Sequence, residues 1–260
     1  HAVFFPDFDR GLSAVKQILW AGLPLSMLRL STAEETETTL ALAGHERLIG
    51  ALEQLLAVRG LGKDKCMLLL GYTGREALVK TARQESLSLA SKNGGVHVGR
   101  TFGSQWHKSR FHTPYLRNTL WEMGYAIDTV ETACDWDHVP AMIEAINIAL
   151  HDALQETGEQ VHVFTHLSHV YPYGSSVYTT FLFRLGSGPE ETLRRWQVLK
   201  KAASLAIVAN HGTISHQHGV GLDHMPYLAV EKGPLGIAAL GDVFRRFDPH
   251  GMMNPGKLVP

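Results

Sequence analysis

Cysteine is scarce in this chain: two residues, Cys66 and Cys134, stand among 260. Each lies in or beside a strand-like run, so no disulfide framework is indicated and a reducing, cytoplasmic setting is expected. Net charge is lacking too. The 24 basic and 25 acidic residues leave a formal charge of −1. That balance gives no footprint for nucleic acid and no steering towards an anionic membrane. No apolar run approaches the roughly 20 residues of a membrane span. No basic segment with a cleavage site marks a secretory leader, so none is expected. A glycine-rich pyrophosphate loop is missing as well. The best candidate, Ser91-Lys92-Asn93-Gly94-Gly95, is too short and follows a helix. The chain opens on His1-Ala2-Val3-Phe4-Phe5 with no initiator methionine, so an upstream segment is expected.

What is present suits a globular fold. Hydrophobic residues make up 45% and charged residues 19%, enough for a substantial core in one large domain or two small ones. Ala2 to Phe5 reads as a strand. Asp7 can cap a helix from Phe8 to Leu23, with Leu12, Val15, Ile18 and Leu19 on its apolar face. Ser26 to Leu30 reads as a strand, and Thr32-Ala33-Glu34-Glu35 is a capping box. Helix then continues, with a break, through Glu46 to Val58. Cys66 to Tyr72 is a buried strand, Arg75 to Ser91 a helix with Leu78, Ala82 and Leu87 inward, and Val96 to Val98 a weak strand.

The order then repeats. A strand from Ile127 to Ala133 precedes a helix capped by Asp137, with Met142, Ile146, Ala149 and Ala153 on one face. Strands follow at Gln160 to His166 and Ser176 to Leu185. A second capping box, Ser187-Gly188-Pro189-Glu190, opens a helix to Asn210, and Thr213 to Ser215 is the expected closing strand. The predicted fold is α+β: two ferredoxin-like βαββαβ units with antiparallel sheet, at 1–98 and 126–225. Between them, 99–125 carries Trp106, Arg110, Phe111, Tyr115, Arg117 and Trp121, a composition that suits covering a pocket or a neighbouring domain. The tail, 226–260, is rich in Gly and Pro, has a helical piece at Ile237 to Phe247, and is expected to lie on another surface.

Two polar clusters carry the candidate chemistry. One is His166-Leu167-Ser168-His169 running to Tyr178; the other is Ser215-His216-Gln217-His218-Gly219-Val220-Gly221-Leu222-Asp223-His224, with three of the 15 histidines. Imidazoles titrate near neutrality, and a phenol is activated by a neighbour, so the clusters suit proton transfer. Zinc is the rival use, through His216, His218 and His224 with Asp223, or through His166 and His169, although no cysteine lies nearby. A ferredoxin-like module that only binds is a third reading. For Arg29, a planar fork that grips a phosphate or carboxylate competes with a surface ion pair to Glu34 or Glu35.

Together, Arg110-Phe111 with Pro114-Tyr115-Leu116-Arg117, Glu131-Thr132-Ala133 with Trp136, Tyr178, Ser215 to Gly221 and the Asn254-Pro255-Gly256-Lys257-Leu258 ending resemble a known family. It is the C-terminal half of FAD-linked oxidases of the vanillyl-alcohol oxidase type, nearest to the alkyldihydroxyacetone-phosphate synthase-like branch. The related D-lactate dehydrogenases and glycolate oxidase subunits carry an acidic residue among their histidines, which 166–174 lacks. The resemblance implies a cap domain over an FAD held mainly by an N-terminal domain, no resident metal, and an acidic or lipid-like small-molecule substrate. A homodimer is compatible with it. It implies that Tyr178, His216 and His218 are catalytic, and that Arg29, Arg110, Arg117 and Gln217 bind substrate. His218, Asn254 and Lys257 would border the cofactor. The family's middle histidine is Gln217 here, leaving His216 and His218 two apart, on one face if the segment is a strand. Asn118 stands where the family usually carries aspartate. The activity implied is that of an oxidoreductase or, alternatively, a synthase-type flavin transferase.

Overall fold

The computed structural model describes residues 1–44 and 46–259, omitting the side chains of Glu46, Ser109 and Thr113. In chain order the elements are β1 (Ala2–Phe5), α1 (Phe8–Trp20), β2 (Met27–Ser31), α2 (Ala33–Leu42), α3 (Glu46–Val58), β3 (Cys66–Gly71), α4 (Glu76–Lys92), β4 (Val96–His97), α5 (Thr101–Ser109) and α6 (Leu116–Glu122). Then come β5 (Tyr125–Asp135), α7 (Val139–Asp152), β6 (His162–Leu167), β7 (Val170–Tyr171), β8 (Gly174–Arg184), α8 (Pro189–Ala209) and α9 (Met225–Phe247). They gather into two compact units: His1–Leu120 with Phe164–Tyr173, and Trp121–Val163 with Gly174–Pro260. The fold is mixed helix and antiparallel sheet, α+β as expected. Among the described residues no helix is long and apolar enough to cross a membrane.

In the first unit the strands run in the order β4-β1-β3-β2, each neighbouring pair antiparallel. This is the ferredoxin-like order, with α2 and α3 inserted where the simple motif has a hairpin. The end of β6 joins β2 through Leu30↔Leu167 and Ser31↔His166. β1 and β3 are near-continuous apolar runs because both faces of the sheet are covered. On one face Ala2, Phe4, Met67 and Leu69 pack with Leu40, Leu52, Leu56 and Leu61. On the other, α1 brings Gly11 so close to Leu30 that an added Cβ would lie 2.8 Å from Leu30 Cδ1. Asp7 caps α1 by accepting from the Arg10 N–H.

Several local expectations change. α1 stops at Trp20 rather than Leu23, and Leu78 on α4 points to solvent while Ala82, Ser86 and Ala90 are buried. The break between α2 and α3 includes Ala43 and Gly44; His45 lies outside the described residues. Half of the first capping box forms. Thr32 accepts from the Glu35 N–H, but the Thr32 N–H donates to the Thr165 carbonyl.

The second unit is built on β5 and β8, paired antiparallel from Tyr125↔Arg184 to Asp135↔Gly174. α7 and α8 pack together and bury Met142, Ile146 and Leu150, and Leu199, Ala203 and Ile207. Asp137 and Ser187 are not the caps: His138 and Gly188 occupy those positions, and Pro140 and Pro189 favour the starts by their preset φ. The closing strand at Thr213–Ser215 does not form. The segment instead runs beside β5 on two hydrogen bonds, Thr213 N to Ala133 O at 3.0 Å and His216 N to Glu131 O at 2.9 Å. Gly212 permits this approach, because a Cβ there would collide with Thr132 Oγ1 and Met142 Cε. The tail is more helical than its composition implies. α9 begins at Met225 and breaks at Gly233 (φ 68°, ψ 168°); Pro234 then starts its second half.

Candidate functional site

The β5–β8 ladder places Glu131 directly opposite Tyr178, and cross-strand partners project from the same face of a sheet. Glu131 is buried, at 4% exposure. His216 Nδ1 lies 3.1 Å from its Oε1, and His218 Nε2 lies 3.2 Å from its Oε2. The Tyr178 ring stands edge-on to His218, centroids 5.3 Å apart at 80°. Tyr178, His216 and His218, three side chains given roles from the sequence, thus meet around Glu131, which carried the resemblance but was given no role.

The histidines do not share a strand face. His218 N donates to His216 O at 2.8 Å, and Gln217 between them has φ 59°. This is a γ-turn, a strained geometry for a residue with a Cβ, of order 1–3 kcal/mol. The strain persists because the loop is pinned on both sides. His216 N is anchored to Glu131 O, and Ser215 Oγ donates to Gly219 O at 2.8 Å. The backbone of Gln217 makes the turn, and the residue is exposed.

In the first unit a second buried carboxylate organises Arg29. Glu35, at 3% exposure, pairs with Arg29 Nη2 through Oε1 and with His166 Nδ1 through Oε2 at 3.0 Å. Arg29 Nη2 and His166 Nδ1 are 3.2 Å apart, and Arg29 Nε is buried with no hydrogen-bond partner. Burial pushes the Glu35 carboxyl up, but the charges of His166 and Arg29 outweigh it and hold the group below its usual range. The ion pair foreseen for Arg29 exists, then, but is buried and includes His166.

The remaining predicted site residues are exposed. Arg110 is exposed, its guanidinium 4.5 Å from the Phe111 ring centroid and 5.7 Å from that of Trp106. Arg117 is exposed on α6, a helix with no buried residue. Asn254 and Lys257 are exposed in a turn closed by Lys257 N to Asn254 O at 3.3 Å. His224 Nδ1 lies 3.1 Å from Gly219 O, and burial lowers the pKa of that imidazole. His166 is bound to Glu35, and His169 Nδ1 lies 3.2 Å from Ser168 Oγ. Glu35 was legible as a capping-box acid and a surface partner of Arg29, and Glu131 as part of a motif in a strand, but neither as a buried carboxylate.

The scaffold is α+β, and comparison with known proteins agrees. Residues 1–258 match the family described as FAD linked oxidases, C-terminal domain, and the chain belongs to that family. Among curated proteins it is 24% identical over 263 residues to the alkyldihydroxyacetonephosphate synthase of Trypanosoma brucei brucei, covering 98% of this chain and 43% of that protein. The synthase of Dictyostelium discoideum is also 24% identical, with 100% and 43% covered. The D-2-hydroxyglutarate dehydrogenase of Stutzerimonas stutzeri is 44% identical over 48 residues, 18% of this chain. A solved alkyldihydroxyacetonephosphate synthase superposes with a TM-score of 0.75 at 19% identity, over 98% of this chain and 44% of that one. The chain thus spans less than half the length of these synthases.

Proposed function

We propose that this chain is the substrate-facing half of an FAD-dependent enzyme in which Tyr178, His216 and His218 handle protons. The observation that carries the reading is their convergence on Glu131 at the β5–β8 ladder. The donor set fits the ring end of a flavin, where a proton must be given or taken beside the reacting carbon. It does not fit the pyrophosphate, since no glycine-rich turn opens a helix; a separate domain is proposed to hold that end. FAD, when bound, supplies the redox or covalent chemistry. Tyr178 is the group we set against the substrate proton, with His218 edge-on beside it, His216 hydrogen-bonded to Glu131 and His218 at ion-pair distance from that carboxylate.

Arg29 is proposed to hold an acidic head group of a small, acidic or lipid-like substrate. Glu35 orients the guanidinium through Nη2, and Nε retains unused donor capacity. Cys66 and Cys134 are unpaired, which supports work in a reducing compartment such as the cytoplasm.

Net oxidation of the substrate is the first reading. The second is an exchange of an acyl group for an alkoxide with no net redox, favoured by alkyldihydroxyacetonephosphate synthases that align along essentially the whole chain. Anaerobic addition of substrate to the full-length protein separates them: lasting loss of flavin absorbance marks oxidation, and product without bleaching marks exchange. Under either, Tyr178→Phe lowers turnover by about 10²-fold or more. Undiminished turnover in that variant overturns the assignment.

A further inference from the structure

We infer that His224 is a positioning residue: with Ser215 it clasps the Gly219 carbonyl and so holds the turn that presents His218 to Tyr178. The inference rests on the proton-handling reading for its use, and on the hydrogen bonds of the loop for its geometry. Ser215 Oγ donates to Gly219 O at 2.8 Å, and His224 Nδ1 lies 3.1 Å from the same oxygen. A carbonyl oxygen has two lone pairs and no proton, so it accepts from both, and His224 carries a hydrogen on Nδ1. The imidazole is buried, at 8% exposure. Burial favours its uncharged form. That form has a single N–H to give, and the carbonyl takes it.

The clasp divides the segment into two closed lobes that share one oxygen. The first, 215–219, carries His216, Gln217 and His218. The second, 219–224, closes again through His224 N to Val220 O at 3.1 Å. It delivers the chain to α9, for which His224 is the N-cap residue. Gly219 has φ 78°, in the left-handed region that glycine enters readily. Residues 217–219 are exposed, so packing does little to fix the turn, and a turn of this kind opens unless its ends are tied. One tie is the hydrogen bond from His216 N to Glu131 O at 2.9 Å. The other is the clasp, on the residue next to His218. The Tyr178 and His218 ring centroids are 5.3 Å apart, and a loop freed at Gly219 loses that contact first.

The test uses the full-length enzyme. His224→Phe keeps a ring without the donor, and His224→Asn returns an N–H close to where Nδ1 stood. His224→Phe lowers kcat about tenfold or more with a smaller change in KM, the cost of a misplaced group rather than of lost substrate binding. His224→Asn recovers most of that loss. In a His218→Ala background His224→Phe adds little, because it acts through that ring. Undiminished kcat in His224→Phe, an Asn variant as slow as the Phe variant, or the full further loss in the His218→Ala background overturns the inference. The wild-type protein decides even if the variants fail to fold. Labelled with 15N and 13C, assigned through its backbone and observed at about pH 8, where an ordinary imidazole is neutral, His224 shows a protonated Nδ1; a bare Nδ1 overturns the inference. A protonated Nδ1 and a slow, Asn-rescued His224→Phe, together with undiminished turnover in Tyr178→Phe, leave the clasp standing and remove the proton-handling reading. A bare Nδ1 with Tyr178→Phe inactive does the reverse.

Discussion

Replacing Glu35 by Gln tests the buried Arg29–Glu35–His166 cluster. The substitution keeps shape and one acceptor but removes the charge that compensates Arg29. Loss of one member of a buried ion pair costs about 3–5 kcal/mol. Arg29 keeps 19% and His166 11% of side-chain exposure, so water offsets part of the loss and about 2–3 kcal/mol is expected. That corresponds to a fall of roughly 5–10 °C in Tm. The effect carries a pH signature. Because the folded-state value of Glu35 is depressed, the unfolded chain binds the proton more readily. The stabilisation is complete above the ordinary glutamate value of about 4.3 and is lost as pH falls through the folded value. Urea unfolding followed by circular dichroism should show a constant gap between wild type and Glu35→Gln from about pH 7 to 5, narrowing below about pH 4. Equal stability at neutral pH, or a gap that acid leaves unchanged, refutes the buried-pair argument.

His218→Ala should lower turnover far more than Gln217→Ala, since the backbone of Gln217 makes the turn; equal losses make the whole loop structural. Gly212→Ala should force Thr132 and Met142 aside and loosen the histidine segment, seen as a lower melting temperature and a fall in activity. An unaltered protein shows that the approach is slack. Arg29→Lys keeps the charge but loses the planar fork, and should raise KM for an acidic substrate several-fold. An unchanged KM leaves Arg29 with a purely structural task.

Much of the scaffold was legible because it rests on short-range physics. The apolar runs of β1 and β3, the Asp7 cap and the stripe of α1 follow from periodicity and capping alone. The misreadings arose where tertiary contacts override local preference. Thr213–Ser215 has strand character, but its partner β5 takes it at only two points. Gly233 and Pro234 punctuate the tail like a loop, yet one backbone excursion absorbs both and the helix resumes. The site was half legible. Histidines and tyrosine stand out by type, whereas Glu131 sits in a strand whose neighbours gave no reason to expect a buried acid. Glu35 was one of two surface partners offered for Arg29, and a place in the first turn of a helix gave no sign of its burial. Only the fold brings Arg29 and His166, 137 positions apart, to the same carboxylate.

The break in α9 has a mechanical consequence for the histidines. Glu231, two residues before Gly233, accepts from Thr213 Oγ1 at 3.1 Å and from Ile214 N at 2.8 Å, and so clamps the run that leads into His216. The arm beyond the break exposes Leu235, Phe247, Met252 and Met253. Without the break, a continuous rod would convey every displacement of that arm to the clamp. Because the axis breaks at Gly233, the clamp on Thr213 and Ile214 belongs to the first half of α9 alone, and the second half is not collinear with it.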